Sequence, residues 1–139
     1  MNPTDFLITE DLLDSLTVSD AMHRGIVTCP PTATLREVAE LLAEHGVHCA
    51  VVADDAGRTL WGIVSDIDLM RGLGSPLPLT AGNLAALDVV TIDPHDELRR
   101  ATQLMAEHDV AHLIVVDGAP VGILSTLDVA RAVAGTVPA

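Results

Sequence analysis

The sequence contains two copies of one segment, and this repeat constrains the fold more than any other feature. When the sequence is shifted by 63 positions, residues 16–54 align with residues 79–117, and 14 of these 39 pairs are identical. The shift then falls to 60, because the first copy has three more residues in the following turn, and the alignment continues from Gly62 and Gly122. Two copies of one fold tolerate such an insertion in a turn. We therefore expect two homologous halves.

A helix is predicted at the same place in each copy. In the first copy, Thr34 and Glu37 have the spacing of an N-terminal capping box, apolar residues follow at helical intervals, and Gly46 is a C-terminal stop. In the second copy, Asp96 is the expected N-cap, and Asp109 replaces the glycine as a residue that tolerates left-handed geometry. Both helices are amphipathic.

Short apolar runs rich in β-branched residues predict one strand before each helix and a hairpin after it. The six strands are expected at residues 26–28, 47–53, 61–64, 89–91, 110–116 and 121–124. A second helix then opens in each copy at Ser65-x-x-Asp68 and at Ser125-x-x-Asp128, since a serine cap and an acid three residues on satisfy backbone N–H groups. The fold class is therefore α+β. Each copy has one sheet face to cover, so we expect the copies to pack sheet to sheet with pseudo-two-fold symmetry.

A tandem strand-helix-strand-strand-helix unit that ends in Gly-apolar-x-Ser/Thr-x-x-Asp resembles the CBS domain, and two such units in one chain resemble a Bateman module. Residues 62–68 and 122–128 both keep the closing pattern, and the resemblance covers nearly the whole chain. It implies a leader at residues 1–16, CBS motif 1 at residues 17–76, and CBS motif 2 with a short tail at residues 77–139.

The resemblance implies a regulatory module that binds an adenine nucleotide or related adenosyl ligand, such as AMP or ATP, in clefts between the motifs. The closing aspartates, Asp68 and Asp128, would hold the ribose hydroxyls, and Ser65 and Ser125 would lie near the phosphates. This chemistry is sound, because a carboxylate accepts both hydroxyls and a helix N-terminus attracts an anion. The ligand would need no other cofactor, and its occupancy would be signalled to a regulated partner that the sequence does not identify.

Further residues are assigned to the ligand on the same grounds. The backbone at Val27–Thr28 and at Val90–Thr91 would receive the adenine, while His48 and His112 would meet phosphate. Asp66 adds a carboxylate beside the expected phosphate position of the first site, where the second site has Thr126. Because like charges repel, we expect the second site to be the better one for nucleotide binding. The candidate ligand-binding residues are Val27, Thr28, His48, Ser65, Asp68, Val90, Thr91, His112, Ser125, Thr126 and Asp128.

The same residues also fit two other interpretations. The Ser-x-x-Asp pairs could be helix caps and nothing more, in which case the chain would be a scaffold for dimerisation. Histidines near the ends of the first helices and the following strands suit zinc, although adjacent strand residues such as His48 and Cys49 face opposite ways; these histidines are His45, His48, His108 and His112. His23 and His95 are expected in exposed turns. No catalytic motif is present, so we do not expect an enzyme.

Composition limits the partners. The chain has 7 basic and 20 acidic residues, a net charge of -13, and only two aromatic side chains, which argues against nucleic-acid binding. It has no apolar run of membrane-spanning length and no basic leader, so we expect a cytoplasmic protein with no membrane contact. Absence of lysine suggests a GC-rich bacterial genome. Cys29 and Cys49 are expected to be free thiols, and the closing helices are expected to form a homodimer.

Overall fold

The structure, a computed structural model, describes residues 12–54, 59–85 and 89–135. In chain order, its labelled elements are α1 (Val18–Ala21), β1 (His23–Arg24), β2 (Thr28–Cys29), α2 (Leu35–His45), β3 (Cys49–Asp54), β4 (Thr59–Ser65), α3 (Asp66–Leu73), α4 (Ala81–Leu84), β5 (Thr91–Ile92), α5 (Leu98–His108), β6 (His112–Asp117), β7 (Ala119–Ser125) and α6 (Thr126–Val133). Residues 12–15 are also helical. The expected α+β class is confirmed, because each copy has the order strand, helix, strand, strand, helix.

The elements divide into two units. Among the described residues, the first-copy unit comprises those between positions 26 and 89, and the second-copy unit comprises residues 90–135 together with residues 12–25. The compact units thus differ from the two repeated stretches of sequence, because the N-terminal segment of each copy lies in the unit of the other. The predicted domain boundaries remain a prediction about the sequence motifs.

The first-copy unit contains a three-stranded sheet in the order β2-β3-β4. β3 runs parallel to β2 and antiparallel to β4, with Thr28 opposite Val51 and Cys49 opposite Ser65. β3 is buried on both faces, as expected for a run of small and β-branched apolar residues in a central strand. Its core is aliphatic and consists of Cys29, Ala33, Val38, Leu42, Ala50, Val52, Val64, Leu69, Ala81 and Ala85.

The second-copy unit repeats this arrangement and adds one strand. Its sheet has the order β1-β7-β6-β5, with Thr91 opposite Ile114 and His112 opposite Ser125. β1 pairs antiparallel with β7, so that Arg24 lies opposite Gly122. The core again lacks aromatic side chains and consists of Val18, Ala21, Met22, Ile92, Leu98, Ala101, Met105, Leu113, Val115, Leu124 and Ala132.

Equivalent backbone hydrogen bonds hold the two exchanged segments. In the second-copy unit, the Val18 N–H donates to the Asp96 carbonyl at 2.9 Å; in the first-copy unit, the Ala81 N–H donates to the Ala33 carbonyl at 2.9 Å. The two donors, Val18 and Ala81, are related by the 63-residue shift, and so are the two acceptors, Ala33 and Asp96. The repeat therefore extends to the contacts that each exchanged segment makes, and residues 12–25 belong to the second-copy unit. The first eleven residues of the predicted leader lie outside the described part.

The helix ends follow the sequence signals with one exception. Thr34 caps α2 through its side chain, and Gly46 and Asp109 end α2 and α5 at φ of 60° and 52°. The prediction that Asp96 caps α5 is wrong. The N-cap is Glu97, while the Asp96 carboxylate accepts from the Asp93 N–H at 3.4 Å.

The predicted strands differ from the observed ones by two residues at their starts and by one residue at their ends. β3 and β6 begin later than expected, because the Val47 and Val110 N–H groups close the preceding helices by donating to the Leu42 and Met105 carbonyls. β4 and β7 begin earlier than expected, because a bulge at Trp61 of β4 and at Val121 of β7 lets the pairing continue towards the turn. The hairpins themselves were predicted correctly.

Candidate ligand-binding site

The start of α3 presents the first candidate carboxylate. The Ser65 N–H and hydroxyl both donate to Asp68 Oδ2 at 2.9 Å, and the Asp68 N–H donates back to the Ser65 hydroxyl at 3.1 Å. The second oxygen, Oδ1, lies 3.5 Å from Arg71 Nη1, and 21% of the Asp68 side chain is exposed. The capping box therefore uses one carboxylate oxygen, and solvent can reach the side chain.

The start of α6 has the same capping box in a more enclosed setting. The Ser125 N–H donates to Asp128 Oδ2 at 2.8 Å, and the Asp128 N–H donates to the Ser125 hydroxyl at 3.1 Å. Oδ1 lies 2.8 Å from His23 Nδ1 and 3.8 Å from Arg131 Nη1, and only 1% of the Asp128 side chain is exposed. No hydrogen bond of good geometry reaches Oδ1 within the described residues. Asp128 is thus a buried carboxylate whose Oδ1 has close contacts to an imidazole and a guanidinium but accepts no hydrogen bond of good geometry.

The two sites therefore differ in the solvent exposure of their closing aspartates. The sequence favoured the second site, but His23 covers Asp128 whereas Asp68 is partly open. His23 was expected in an exposed turn; its ring is 60% exposed, yet it lies in β1 and contacts Asp128. Sequence reasoning missed this contact because β1 belongs to the first copy in sequence and to the second-copy unit in space. The 63-residue shift pairs His23 with Ala86, so the repeat contained no matching signal.

The candidate adenine-binding strands, β2 and β5, belong to the same sheets as β4 and β7, the strands that lead into the closing helices. The Val27 carbonyl accepts from the Val51 N–H at 2.8 Å, and the Val90 carbonyl accepts from the Ile114 N–H at 3.1 Å. Thr28 and Thr91 are exposed. From the strand register, Thr28 lies two strands across and two residues along from Ser65, roughly 12 Å at ordinary sheet spacings. A nucleoside with its phosphate can span this distance.

The two histidines that were paired as phosphate ligands are not equivalent. His112 lies opposite Ser125, as Cys49 lies opposite Ser65, so His112 corresponds to Cys49. His48 corresponds instead to Ala111, since their carbonyls accept from the Asp66 and Thr126 N–H groups in turn.

His48 is engaged by an acidic neighbour. Its Nδ1 lies 2.9 Å from Asp66 Oδ2, and both side chains are largely exposed. The Asp66 Oδ1 accepts from the Ile67 N–H at 2.8 Å. The carboxylate that distinguishes the first site therefore occupies the helix N-terminus where a phosphate was expected.

The remaining polar residues near these elements have roles in local structure. Arg24 donates to the Ser19 hydroxyl at 2.7 Å. His45 and His108 lie in the last turns of α2 and α5, where a cation would be favoured by the helix dipole. Among the described residues, no three His, Cys, Asp or Glu side chains converge to hold a metal ion. Cys29 and Cys49 are both buried and neither forms a disulfide, and burial raises the pKa of the Cys29 thiol, with a smaller contribution from the Glu37 charge.

Comparison with known proteins agrees with this architecture. The sequence profile of the CBS domain matches residues 18–75 and residues 81–135. This chain belongs to the CBS-domain family and carries two CBS motifs. Within the described residues, no helix is both long and apolar enough to cross a membrane.

Several relatives are known from sequence and structure. The chain is 34% identical over 110 residues to a homoserine O-acetyltransferase of Methanocorpusculum labreanum, and the match covers 79% of this chain but 22% of the enzyme. The crystal structure of CBSX2 in complex with AMP is 28% identical, with a TM-score of 0.70 and coverage of 87% of this chain and 98% of that one. The crystal structure of Hypoxic Response Protein I with two coordinated zinc ions is 29% identical, with a TM-score of 0.67 and coverage of 84% and 98%.

Proposed function

We propose that this chain is a regulatory module that binds an adenosyl ligand of the AMP or ATP class at the closing helices of its CBS motifs. The observation that carries the proposal is the repeated Ser-x-x-Asp geometry, in which each closing aspartate uses Oδ2 for its helix cap and keeps Oδ1 outside that cap. Such an oxygen can accept a ribose hydroxyl without loss of the helix cap. The AMP complex of the similar CBSX2 structure supports the choice of ligand.

The burial of Asp128 adds a physical reason for a ligand. Asp128 Oδ1 lies 2.8 Å from His23 Nδ1 and 3.8 Å from Arg131 Nη1 but accepts no hydrogen bond of good geometry among the described residues, and a buried acceptor is stabilised by a hydrogen-bond donor. A ribose hydroxyl would satisfy it once the exposed His23 ring turned aside. At Asp68, which is partly open, no such movement is needed.

A regulatory module transmits ligand occupancy to a partner, and the described residues include an exposed apolar surface for such a contact. Apolar side chains on one side of α3 are more than half exposed, namely Ile67, Met70 and Leu73, and Leu127 of α6 is exposed as well. Large exposed apolar groups that recur along a helix are typical of an interaction surface. We propose that the closing helices form a homodimer, and sedimentation equilibrium on wild type and Met70→Glu would test this, with a monomeric wild type contradicting it.

A thermal-shift experiment tests ligand binding. Ligand that binds only the folded state raises its stability by RT ln(1 + [L]/Kd), about 2.7 kcal/mol at a hundredfold excess over Kd. AMP and ATP should therefore raise the melting temperature of the wild type. Asp68→Glu is the matched variant, since Ser-x-x-Glu still forms a capping box while its carboxylate is displaced by one methylene.

The outcomes separate the candidate functions. Loss of part of the ligand-induced shift in Asp68→Glu, with unchanged stability of the unliganded variant, supports the proposal. No shift with any adenine compound contradicts it and favours the scaffold function. A shift with zinc alone would indicate a metal protein instead.

A further inference from the structure

The two motifs differ most in the charge at the start of their closing helices. Both Asp66 and Asp68 lie in the first turn of α3, whereas Asp128 is the acidic residue in the first turn of α6. The residue of α6 that corresponds to Asp66 is Thr126. One helix start therefore carries an additional negative charge at the position next to the proposed phosphate.

Asp66 is also held in place at this position. Its Oδ1 accepts from the Ile67 N–H at 2.8 Å, and its Oδ2 lies 2.9 Å from His48 Nδ1. The Asp66 N–H itself donates to the His48 carbonyl at 2.8 Å, and the Asp68 N–H donates to the Ser65 hydroxyl. The first N–H groups of α3, which an anion would need, are therefore already bonded within the protein.

The second motif keeps two of these bonds, since the Thr126 N–H donates to the Ala111 carbonyl at 3.0 Å and the Asp128 N–H donates to the Ser125 hydroxyl at 3.1 Å, but it differs at the side chains of positions 126 and 111. Thr126 has no carboxylate to accept from the Leu127 N–H, and Ala111 stands where His48 stands in the first motif. A phosphate at the start of α6 would have no carboxylate beside it at position 126. The Leu127 N–H would not be bonded to such a carboxylate, as the Ile67 N–H is in α3. The helix dipole then favours an anion at this end.

We infer that the first motif selects adenosyl ligands that carry no negative charge at the 5′ position, namely a nucleoside or a 5′-substituted nucleoside that is neutral or cationic there, whereas the second motif accepts a 5′-phosphate. This inference rests on the proposed adenosyl binding and adds the chemical class of ligand for each motif. Repulsion between Asp66 and a phosphate a few ångströms away corresponds to a preference on the order of tenfold or more for adenosine over AMP at the first motif.

Adenosine and AMP are the probes, since they differ only in the phosphate. Titration of the full chain with each, followed by amide NMR signals, reads the two motifs separately through Ile67 and Leu127. The Ile67 signal should report adenosine binding at least about tenfold tighter than AMP binding, and the Leu127 signal should not.

Two reciprocal variants test the cause. Asp66→Thr gives the first motif the residue of the second and should remove the preference for adenosine at Ile67, while Thr126→Asp should create it at Leu127. Asp66→Asn is a milder variant, since its amide oxygen still accepts from the Ile67 N–H and only the charge is lost. It should also remove the preference.

The inference is overturned if Ile67 reports equal affinities for adenosine and AMP in the wild type, or if the preference persists in Asp66→Thr and Asp66→Asn. The proposed function would survive both results, because ligand would still bind. If neither compound moves any signal at α3 or α6, the proposed function fails, and the inference fails with it.

Discussion

Gly122→Ala tests the exchange of the N-terminal segment between the copies. Gly122 lies in β7 between Arg24 of β1 and Val115 of β6. A Cβ at this position would lie 2.4 Å from the His23 carbonyl oxygen and 3.3 Å from Met22 Sδ. Because the nearer atom belongs to the backbone of β1, the strand must move away from β7. Glycine at position 122 is therefore needed for β1 to join this sheet.

The expected cost follows from what this movement disrupts. β1 has two residue pairs with β7, and each backbone hydrogen bond lost contributes about 1 kcal/mol. Met22, which is buried in the core of the second-copy unit, would shift as well. We expect Gly122→Ala to lower the free energy of unfolding by about 2–3 kcal/mol, within the range for overpacking. For a chain of this size that is a fall in melting temperature of roughly 8–12 °C.

Gly74→Ala is the matched control. Gly74 has φ of −80° and ψ of −7°, which any residue adopts, and its added Cβ would meet nothing closer than the Met70 carbonyl oxygen at 3.5 Å. This variant should be neutral or more stable by up to about 1 kcal/mol, since alanine restricts the unfolded chain. Urea denaturation of both variants measures the difference. If Gly122→Ala is as stable as Gly74→Ala, the account of β1 in the second-copy sheet is wrong.

Three further predictions follow from single contacts. Ser125→Ala removes the hydroxyl that accepts from the Asp128 N–H and should lower the free energy of unfolding by about 1 kcal/mol in urea denaturation; an unchanged value would contradict the cap. His23→Ala uncovers Asp128 and should strengthen adenosine binding read at the Leu127 amide, whereas weaker binding would show that the ring assists the ligand. Burial raises the pKa of the Cys29 thiol, so iodoacetamide should modify Cys29 more slowly in the folded protein than in urea at the same pH; equal rates would refute its enclosure.

Much of the fold could be predicted from the sequence, because its signals are local. The cap at Thr34, the left-handed residues Gly46 and Asp109, and the serine caps of the closing helices are each encoded within four residues. The repeat then supplies the left-handed residue and the serine cap in both copies. The misplaced N-cap at Asp96 shows where local reasoning fails, since the Asp96 carbonyl accepts from Val18, 78 positions earlier in the chain.

The residue types of the candidate site could be predicted from the sequence, but the exposure of its carboxylates could not. The pattern Ser-x-x-Asp predicted both carboxylates, and the structure shows both as helix caps. It could not predict that His23 covers Asp128, because that contact depends on β1 entering the sheet of the other copy. Nor could the sequence predict that Asp66 bonds to the N–H of its own neighbour. The assignment of these residues to a ligand therefore remains a proposal.

The most direct test of the central proposal compares adenosine with 2′,3′-dideoxyadenosine by isothermal titration calorimetry. The two compounds share the adenine and differ in the two ribose hydroxyls that the closing aspartates would accept. Hydrogen bonds to a charged group contribute about 1.5–3 kcal/mol, so the dideoxy compound should bind at least about tenfold more weakly, and Asp68→Glu should reduce that difference. Equal affinities for the two compounds would show that neither Asp68 nor Asp128 holds a ribose.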